Sequence, residues 1–217
     1  TIKSGELAKR KKNRENATEK IKTEKDAEKV EKLKKISTPL PDYMCPDTQT
    51  LLTHMGIQWV IAPEEGEAYC SYLNKEGKCD YVWSLDADCF MFGAKQVIRP
   101  TKEGSKKVYY TYDRADILEQ LEISESQFLL MGICMGTDFS EKIPRIGAKT
   151  VIKKIGEHFN LTKSQKLALA YFKKAPYKNP TVNKSKFSKK KLTKFLVDNG
   201  FNMGRLSTHI DDLEKSQ

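Results

Sequence analysis

Residues 62–93 read APEEGEAYCSYLNKEGKCDYVWSLDADCFMFG, and two acidic pairs stand in this stretch. Glu65 and Glu67 form the first pair, and Asp86 and Asp88 form the second. Each pair alone has an ordinary structural interpretation. Glutamates in a first helical turn stabilise the helix dipole, and Asp-x-Asp after a strand is a common turn. The elements that carry the pairs favour a functional interpretation instead.

The segment between the two pairs is predicted to be a helix followed by a strand. Pro63 suits a first helical turn, because its missing N–H would be unpaired there anyway. The helix is expected to run to about Asn74, with Gly77 ending it. Residues 80–85 (DYVWSL) then read as a short buried strand. The second acidic pair therefore follows the carboxyl end of a strand, where ligands bind in open α/β sheets.

A fifth carboxylate follows a second apolar element. Residues 129–136 (LLMGICMG) form an apolar run that ends at Gly136, and Asp138 comes directly after it. Five carboxylates brought together could not all stay ionised without a cation. Oxygen ligands alone favour Mg²⁺ or Mn²⁺. The chemistry that such a site suits is two-metal hydrolysis of a phosphodiester.

The order and spacing of these acidic motifs resemble the structure-specific 5′-nuclease family. The resemblance covers essentially the whole chain, and the opening residues 3–10 (KSGELAKR) resemble the flap endonuclease branch in particular. The motifs that carry the resemblance are Ala62-Pro63-x-Glu65-x-Glu67-Ala68, Asp86-x-Asp88-Cys89-x-x-Phe92-Gly93, Gly136-x-Asp138 and Ile143-x-x-Ile146-Gly147-x-Lys149.

The resemblance implies roles for individual residues. The metal ligands would be Glu65, Glu67, Asp86, Asp88 and Asp138. Two catalytic cations, Lys3 and Arg10, would reach the scissile phosphate. The residues expected to contact DNA are Arg14, Arg99, Lys142, Arg145, Gly147 and Lys149.

A helix–two-turn–helix element that grips duplex DNA is also implied, opening at residues 143–147. Family members often hold K⁺ on its hairpin, and the corresponding positions here are Lys142, Ile143 and Ile146. Arg145 stands where the family usually has glycine, which puts the K⁺ site in doubt. The pattern Ile-x-x-Ile-Gly also has an ordinary structural interpretation as the N-terminus of a helix. The free amide groups of a helix N-terminus bind phosphate without reading the base sequence.

The function implied is that of a Mg²⁺-dependent 5′ flap endonuclease with 5′–3′ exonuclease activity, acting on branched DNA in replication and repair. Two Mg²⁺ ions per site are expected, with Mn²⁺ able to substitute, and K⁺ in addition. The expected partner is flapped or branched double-stranded DNA. The family also suggests a sliding clamp, although this chain has no docking tail. Two alternatives stay open: a related exonuclease or junction- or bubble-cutting nuclease, and a non-catalytic DNA-binding scaffold.

The net charge of +10 is unevenly distributed along the chain. Residues 1–36 carry +6, residues 37–148 carry −7, and residues 149–217 carry +11. Basic ends around an acidic centre suit a polyanion held on both sides of a cation-loaded cleft. The alternative is that the lysine-rich ends only keep the protein in solution.

Residues 9–35 favour a helix, but their apolar residues are too sparse to bury a face well. Such a helix is either a solvated spacer or a mobile element that a ligand orders. The resemblance implies that it is an arch over the active site. Thr1 opens the chain without a methionine, and the resemblance implies that a preceding segment with two further metal-site aspartates is absent.

The predicted fold is α/β: a mostly parallel sheet flanked by helices, as in a PIN-like nuclease core, with a helical arch and a helix–two-turn–helix element. Residues 57–61 (IQWVI) are predicted to be a strand, which would start a βαβ unit. Residues 97–99 and 108–112 are predicted to pair as a hairpin. The expected domains are an arch at 1–36, a nuclease core at 37–138 and DNA-binding helices at 139–217.

The cysteines and histidines indicate neither a disulfide framework nor a zinc site. The five cysteines are scattered without a Cys-x-x-Cys pair, and the three histidines match no zinc spacing. Reduced thiols fit an intracellular protein, and nuclear localisation is expected. No apolar run in the sequence is long enough to span a membrane.

Overall fold

The computed structural model describes residues 4–154, 159–174, 182–183 and 185–216, which form two compact units. The first unit falls within residues 1–37 and 63–177, and the second within 38–62 and 178–217. The described helices of the first unit are α1 (Ser4–Ile21), α2 (Ala27–Ser37), α4 (Gly66–Lys75), α5 (Asp88–Met91), α6 (Arg114–Gln120), α7 (Glu125–Met135), α8 (Ala148–Lys153) and α9 (Lys163–Lys173). Its strands are β1 (Val82–Trp83), β2 (Gln96–Glu103) and β3 (Lys106–Asp113).

The second unit is built on three helices, α3 (Met44–His54), α10 (Lys189–Asp198) and α11 (Met203–Lys215). Leu192, Leu196 and Ile210 form its buried core. Among the helices of the described ranges, none is long and apolar enough to cross a membrane. The domain division expected from sequence stays a prediction, although residues 38–62 fold with the C-terminal helices and not with the sheet.

The arch segment is helical, as expected, but it forms two helices instead of one. Residues 22–26 separate α1 from α2. Asp26 caps the second helix, because its carboxylate accepts the amide N–H groups of Glu28 and Lys29 at 2.9 and 3.2 Å. Ala17 is buried. The prediction of one continuous helix was therefore wrong, since the capping carboxylate starts a second helix.

The sheet confirms the α/β class, although its pairing is mixed in the part of the chain that is described. β1 runs parallel to β2 through Val82 and Trp83 only. β2 pairs with β3 in antiparallel register over eight positions, from Gln96 opposite Asp113 to Glu103 opposite Lys106. The predicted hairpin is therefore confirmed and is longer than expected. A mostly parallel sheet is not what these strands form.

The predicted strand at residues 57–61 explains the difference. Within the described residues, this segment forms one isolated bridge, between Trp59 and Asn183, and joins no sheet. The Trp59 indole N–H donates to the Thr53 hydroxyl at 2.9 Å. Because this segment bonds within the second unit, it adds no parallel strand to β1.

The helices of the first unit pack on the sheet and on one another through two apolar clusters. Val82, Cys89, Phe90, Ala94 and Val97 form the first. The second consists of Met91, Leu129, Ile133, Phe139, Ala168 and Phe172. α7 begins with a capping box, since Ser124 and Gln127 satisfy each other's amides. These clusters hold the ends of α5 and α7, from which the acidic residues project.

Asn74 joins α4 to the sheet through four hydrogen bonds. Its side-chain NH₂ donates to the carbonyls of Cys79 and Asp80 at 3.0 and 2.8 Å. Its carbonyl oxygen accepts the amide N–H groups of Lys95 and Gln96 at 2.7 and 3.1 Å. The residue is buried, so water cannot replace these bonds.

Asn74→Leu is expected to lower the free energy of unfolding by about 3–5 kcal/mol, because four backbone groups lose the buried side chain that pairs with them. Urea denaturation followed by circular dichroism measures the change. Asn199→Ala is the matched control, since Asn199 is exposed and donates only to the Phe195 carbonyl. A loss below about 1 kcal/mol for Asn74→Leu would contradict the role assigned to this side chain.

Candidate active site

One cavity of about 830 Å³ collects three of the five predicted metal ligands. Asp86, Asp88 and Asp138 line it, although Asp138 is 50 or more residues from the other two in the sequence. Helix α1 contributes Gly5 and Lys9 to its wall. Carboxylates therefore face a basic helix across one cavity, as the charge pattern of the sequence predicts.

A chain of hydrogen bonds connects the two acidic motifs of residues 62–93. The Ser84 hydroxyl donates to the Glu67 carboxylate at 2.5 Å and accepts the Asp86 amide N–H at 3.0 Å. The Asp86 carboxylate in turn accepts the Asp88 amide N–H at 3.1 Å. These bonds fix the backbone between β1 and α5, so the aspartates have set positions before any ligand binds.

Cys89 lies buried beneath these residues. Burial raises the pKa of its thiol to about 11, although hydrogen bonds with Ser84 and Ser71 lower it. The nearby Glu67 and Asp86 carboxylates raise this pKa further. The thiol therefore stays protonated at neutral pH and is a poor nucleophile.

Asp138 projects from a short loop that is anchored on both sides. Thr137 and Ser140 exchange backbone hydrogen bonds at 3.0 and 3.3 Å. Phe139 is buried, and its ring packs against Phe172 with centroids 5.1 Å apart. Gly136 adopts φ +89°, and a Cβ there would lie 2.9 Å from the Lys142 amide nitrogen. Only glycine fits this turn, so the motif Gly-x-Asp has a physical reason.

Arg10 reaches this carboxylate from α1. One guanidinium nitrogen, Nη2, donates to Asp138 Oδ2 at 2.9 Å. The two residues are 128 positions apart in the sequence. The resemblance implied that Arg10 acts at the active site, and the structure places its charge beside one of the predicted metal ligands.

The donor chemistry of the cavity fits a hard divalent cation. All three aspartates offer carboxylate oxygens, which Mg²⁺ and Mn²⁺ prefer. Across the described ranges, no three His, Cys, Asp or Glu side chains are drawn together tightly enough to hold an ion by themselves. Mg²⁺ commonly binds through one or two carboxylates and keeps several waters. The aspartates therefore suit a partly hydrated Mg²⁺.

The other predicted ligands and catalytic cations are placed differently. Glu67 connects to Asp86 through Ser84, but neither Glu65 nor Glu67 is among the described residues that line the cavity. Glu65 precedes α4 as its N-cap. Pro63 lies outside this helix, so the helix begins three residues later than predicted. Lys3 lies outside the described residues.

The predicted DNA contacts are spread over several elements. Arg14 is exposed on α1, one turn from Arg10. Arg99 on β2 donates to the Leu85 carbonyl at 2.5 Å, next to Asp86, so it also supports the loop that carries the aspartates. Lys142 lines the cavity. Lys149 is exposed in the first turn of α8, for which Gly147 is the N-cap.

In the hairpin before α8, the backbone of Arg145 adopts a conformation that is typical of glycine. Its φ is +62°, the left-handed region that non-glycine residues rarely adopt. Ile146 N–H bonds the Ile143 carbonyl at 3.3 Å across the turn. Arg145 therefore holds a backbone conformation that glycine adopts without strain.

Arg145→Gly is expected to raise the free energy of unfolding by about 1 kcal/mol, because glycine adopts this conformation without strain. If Arg145 also contacts phosphate, the same variant should bind duplex DNA several-fold more weakly. Thermal unfolding and fluorescence anisotropy measure the two effects. A gain in stability without any loss of affinity would remove Arg145 from the DNA contacts.

Two residues of the site were not identified from the sequence. Lys9 was part of the opening motif, and its helical spacing of four from Gly5 would have placed it on the same wall. Ser84 connects Glu67 to Asp86, and its only signal was a small hydroxyl residue just before the Asp-x-Asp motif.

Known proteins are similar to this chain in sequence. The family model described as the XPG I-region matches residues 56–138. Flap endonuclease 1 of Methanosarcina acetivorans is 35% identical over 171 residues, which cover 72% of this chain and 51% of the relative. Flap endonuclease 1-A of Sorghum bicolor is 34% identical over 243 residues, covering 100% of this chain and 63% of the relative.

A solved structure is similar as well. Flap endonuclease-1 from Methanococcus jannaschii matches with a TM-score of 0.66 and 30% identity, covering 88% of this chain and 65% of that one. The chain spans about half the length of the first curated relatives it matches. From the ordered acidic motifs, the matched region and these similarities, the chain belongs to the structure-specific 5′-nuclease family.

Proposed function

We propose that this protein is a Mg²⁺-dependent, structure-specific 5′ flap endonuclease with 5′–3′ exonuclease activity. The observation that supports this most is the cavity in which Asp86, Asp88 and Asp138 face Lys9 and Arg10 of α1. Hydrolysis of a phosphodiester uses both kinds of group, since the carboxylates hold divalent cations and the basic side chains bind phosphate oxygens. The relatives named flap endonuclease give the substrate class.

Asp86, Asp88 and Asp138 would hold the metal, with Glu65 and Glu67 contributing through water. Two divalent cations, when bound, would supply an activated water and stabilise the leaving 3′ oxygen. Mn²⁺ would substitute for Mg²⁺, because both prefer oxygen ligands. A K⁺ ion at the hairpin carbonyls around Lys142, Ile143 and Ile146 is proposed with them.

The chain's own residues prepare the site for this chemistry. The bonds of Ser84 orient Glu67 and the loop that carries Asp86. The anchored loop at Thr137 and Phe139 orients Asp138. Lys9 and Arg10 line or reach the same cavity, where they would bind the scissile phosphate and offset its charge in the transition state. Lys3 would join them.

Duplex DNA would be held by Arg14, Arg99, Lys142, Arg145, Gly147 and Lys149. Contacts of this kind are made to the phosphate backbone and carry no sequence preference. The logarithm of the binding constant is therefore expected to fall with the logarithm of salt concentration at a slope of about −3 to −5, from roughly 0.9 per phosphate contact. A flat salt curve, or a strong dependence on base sequence, would contradict this mode of binding.

A panel of DNA substrates of one sequence tests the proposed activity. The complete gene product is incubated in Mg²⁺ with a 5′ flap, a nick, a gap, a four-way junction, a bubble and a single strand. Preferred cleavage at the base of the flap is expected. Preference for the junction or bubble would favour the related nucleases. Binding of all substrates without cleavage would favour a DNA-binding scaffold.

A further inference from the structure

The ion pair between Arg10 and Asp138 places a cation of the protein where a metal is expected. The Arg10 side chain is 56% exposed and that of Asp138 is 35% exposed, so water and ions reach both partners. The Arg10 guanidinium lies 2.9 Å from Oδ2 of Asp138, so it would stand next to a divalent cation held by this carboxylate, and the two positive charges would repel each other. Arg10 and a metal therefore compete for the Asp138 carboxylate.

Helix α1 is the partner that can move. Asp138 is fixed by the paired backbone of Thr137 and Ser140 and by the buried ring of Phe139. At the cavity end of α1, Leu7 is 54% exposed. Among the described side chains of this helix, the buried apolar one is Ala17, more than one turn beyond Arg10. The Arg10 end is therefore held by charge more than by apolar packing.

We propose that Arg10 is a latch that holds α1 against the acidic cavity until a divalent cation takes over Asp138. Binding of the cation releases the guanidinium, which then becomes available to a phosphate of the substrate. This inference rests on the proposed function, because it assigns the competing cation to the metal site. It adds an order of events: the metal binds first, and the helix becomes free to engage DNA afterwards.

The size of the effect follows from linkage. A ligand that displaces an internal ion pair binds more weakly by the free energy of that pair. Exposed ion pairs are weak, so removing Arg10 should tighten divalent cation binding by only about two- to fivefold. Loss of any nearby positive charge also strengthens cation binding, and the control must therefore remove the same charge without removing the pair.

Mn²⁺ is the probe for the affinity measurement, because free Mn²⁺ is counted directly by electron paramagnetic resonance. The full chain, Arg10→Ala, Arg10→Lys and Arg14→Ala are titrated, and Mg²⁺ competition confirms a shared site. Arg14→Ala is the matched control, since Arg14 lies one turn away on the same helix. Arg10→Ala should bind Mn²⁺ two- to fivefold more tightly than Arg14→Ala does. Equal affinities of these two variants would overturn the latch.

Hydrogen exchange of the α1 amides tests the release itself. In the metal-free chain, Arg10→Ala and Asp138→Asn should both speed exchange of residues 5–12 to the same extent. Mg²⁺ should speed exchange of these residues in the parent and leave Arg10→Ala unchanged. Unchanged exchange in both variants would overturn the latch.

The two measurements separate the latch from the proposed function. If the parent binds Mn²⁺ but Arg10→Ala and Arg14→Ala are alike, the latch fails and the metal site stands. If the parent binds no Mn²⁺ and Mg²⁺ alters no exchange rate, the latch fails together with the metal site assigned to this chain. Cleavage of the flap by the complete gene product decides the proposed function independently of either result.

Discussion

Asp86→Asn is expected to slow flap cleavage by at least about 1,000-fold while the affinity for the flap stays within about threefold of the parent. Asparagine keeps an oxygen that can accept the Asp88 amide N–H, so the turn into α5 is preserved. It removes the negative charge that would hold the metal. Phosphate contacts lie elsewhere, so binding should change little. Single-turnover cleavage and anisotropy titration measure the two quantities.

Asp80→Asn is the control for this variant. Asp80 precedes β1, is exposed, and is not among the described residues that line the cavity. It should therefore cleave like the parent. If Asp86→Asn also cleaves at the parental rate, the aspartate cavity is not the metal site. If it loses binding together with cleavage, the variant has disturbed the DNA surface or the fold.

Arg10→Ala should lower the single-turnover rate by about 100-fold, much more than it weakens flap binding, because its charge acts chiefly on the transition state. The effect should appear even at saturating Mg²⁺, although this variant binds the metal more tightly. Tighter metal binding with slower cleavage is a combination that a merely structural role for Arg10 would not produce.

Arg10→Lys and Lys20→Ala complete this comparison. Lysine keeps the charge but loses the planar fork of donors, so Arg10→Lys should recover part of the rate. Lys20 is exposed in the last turn of α1, and Lys20→Ala should cleave nearly as well as the parent. Equal cleavage rates for Arg10→Ala and Lys20→Ala would indicate that α1 is a solvated spacer.

The sequence predicted the local elements well where a single residue decides them. Gly136 ends α7 with a φ of +89°, and Gly77 follows α4 with a φ of +70°. Capping and left-handed turns depend on residues within one or two positions, so a local pattern is enough. The hairpin of β2 and β3 was also predictable, because its two strands are neighbours in sequence.

Long-range pairing was less predictable. Residues 57–61 (IQWVI) are mostly apolar and β-branched, as in a strand. Strand formation also needs a partner with free backbone groups, and the described partner is Asn183 alone. The break between α1 and α2 depended on Asp26 acting as a cap inside a continuous helical pattern. Period and propensity could not distinguish these outcomes, because both patterns are compatible with either structure.

The site shows the same division. The order of Asp86, Asp88 and Asp138 suggested that they converge, and these three line one cavity. The separate place of Glu65 and the pair between Arg10 and Asp138 could not be predicted, since they depend on how α1 and α4 pack. Spacing indicates which residues can meet, and only packing decides which of them touch.

Cleavage of a 5′-labelled flap with and without Mg²⁺ tests the central claim most directly. The complete gene product is mixed in excess with the flap, first with a chelator and then with Mg²⁺ added, alongside Asp86→Asn. We expect no product with the chelator, one product cut at the flap base after Mg²⁺ is added, and none from the variant under either condition. Cleavage that persists in the chelator, or that is equal in the variant, would contradict the assignment of this cavity as a metal-dependent nuclease site.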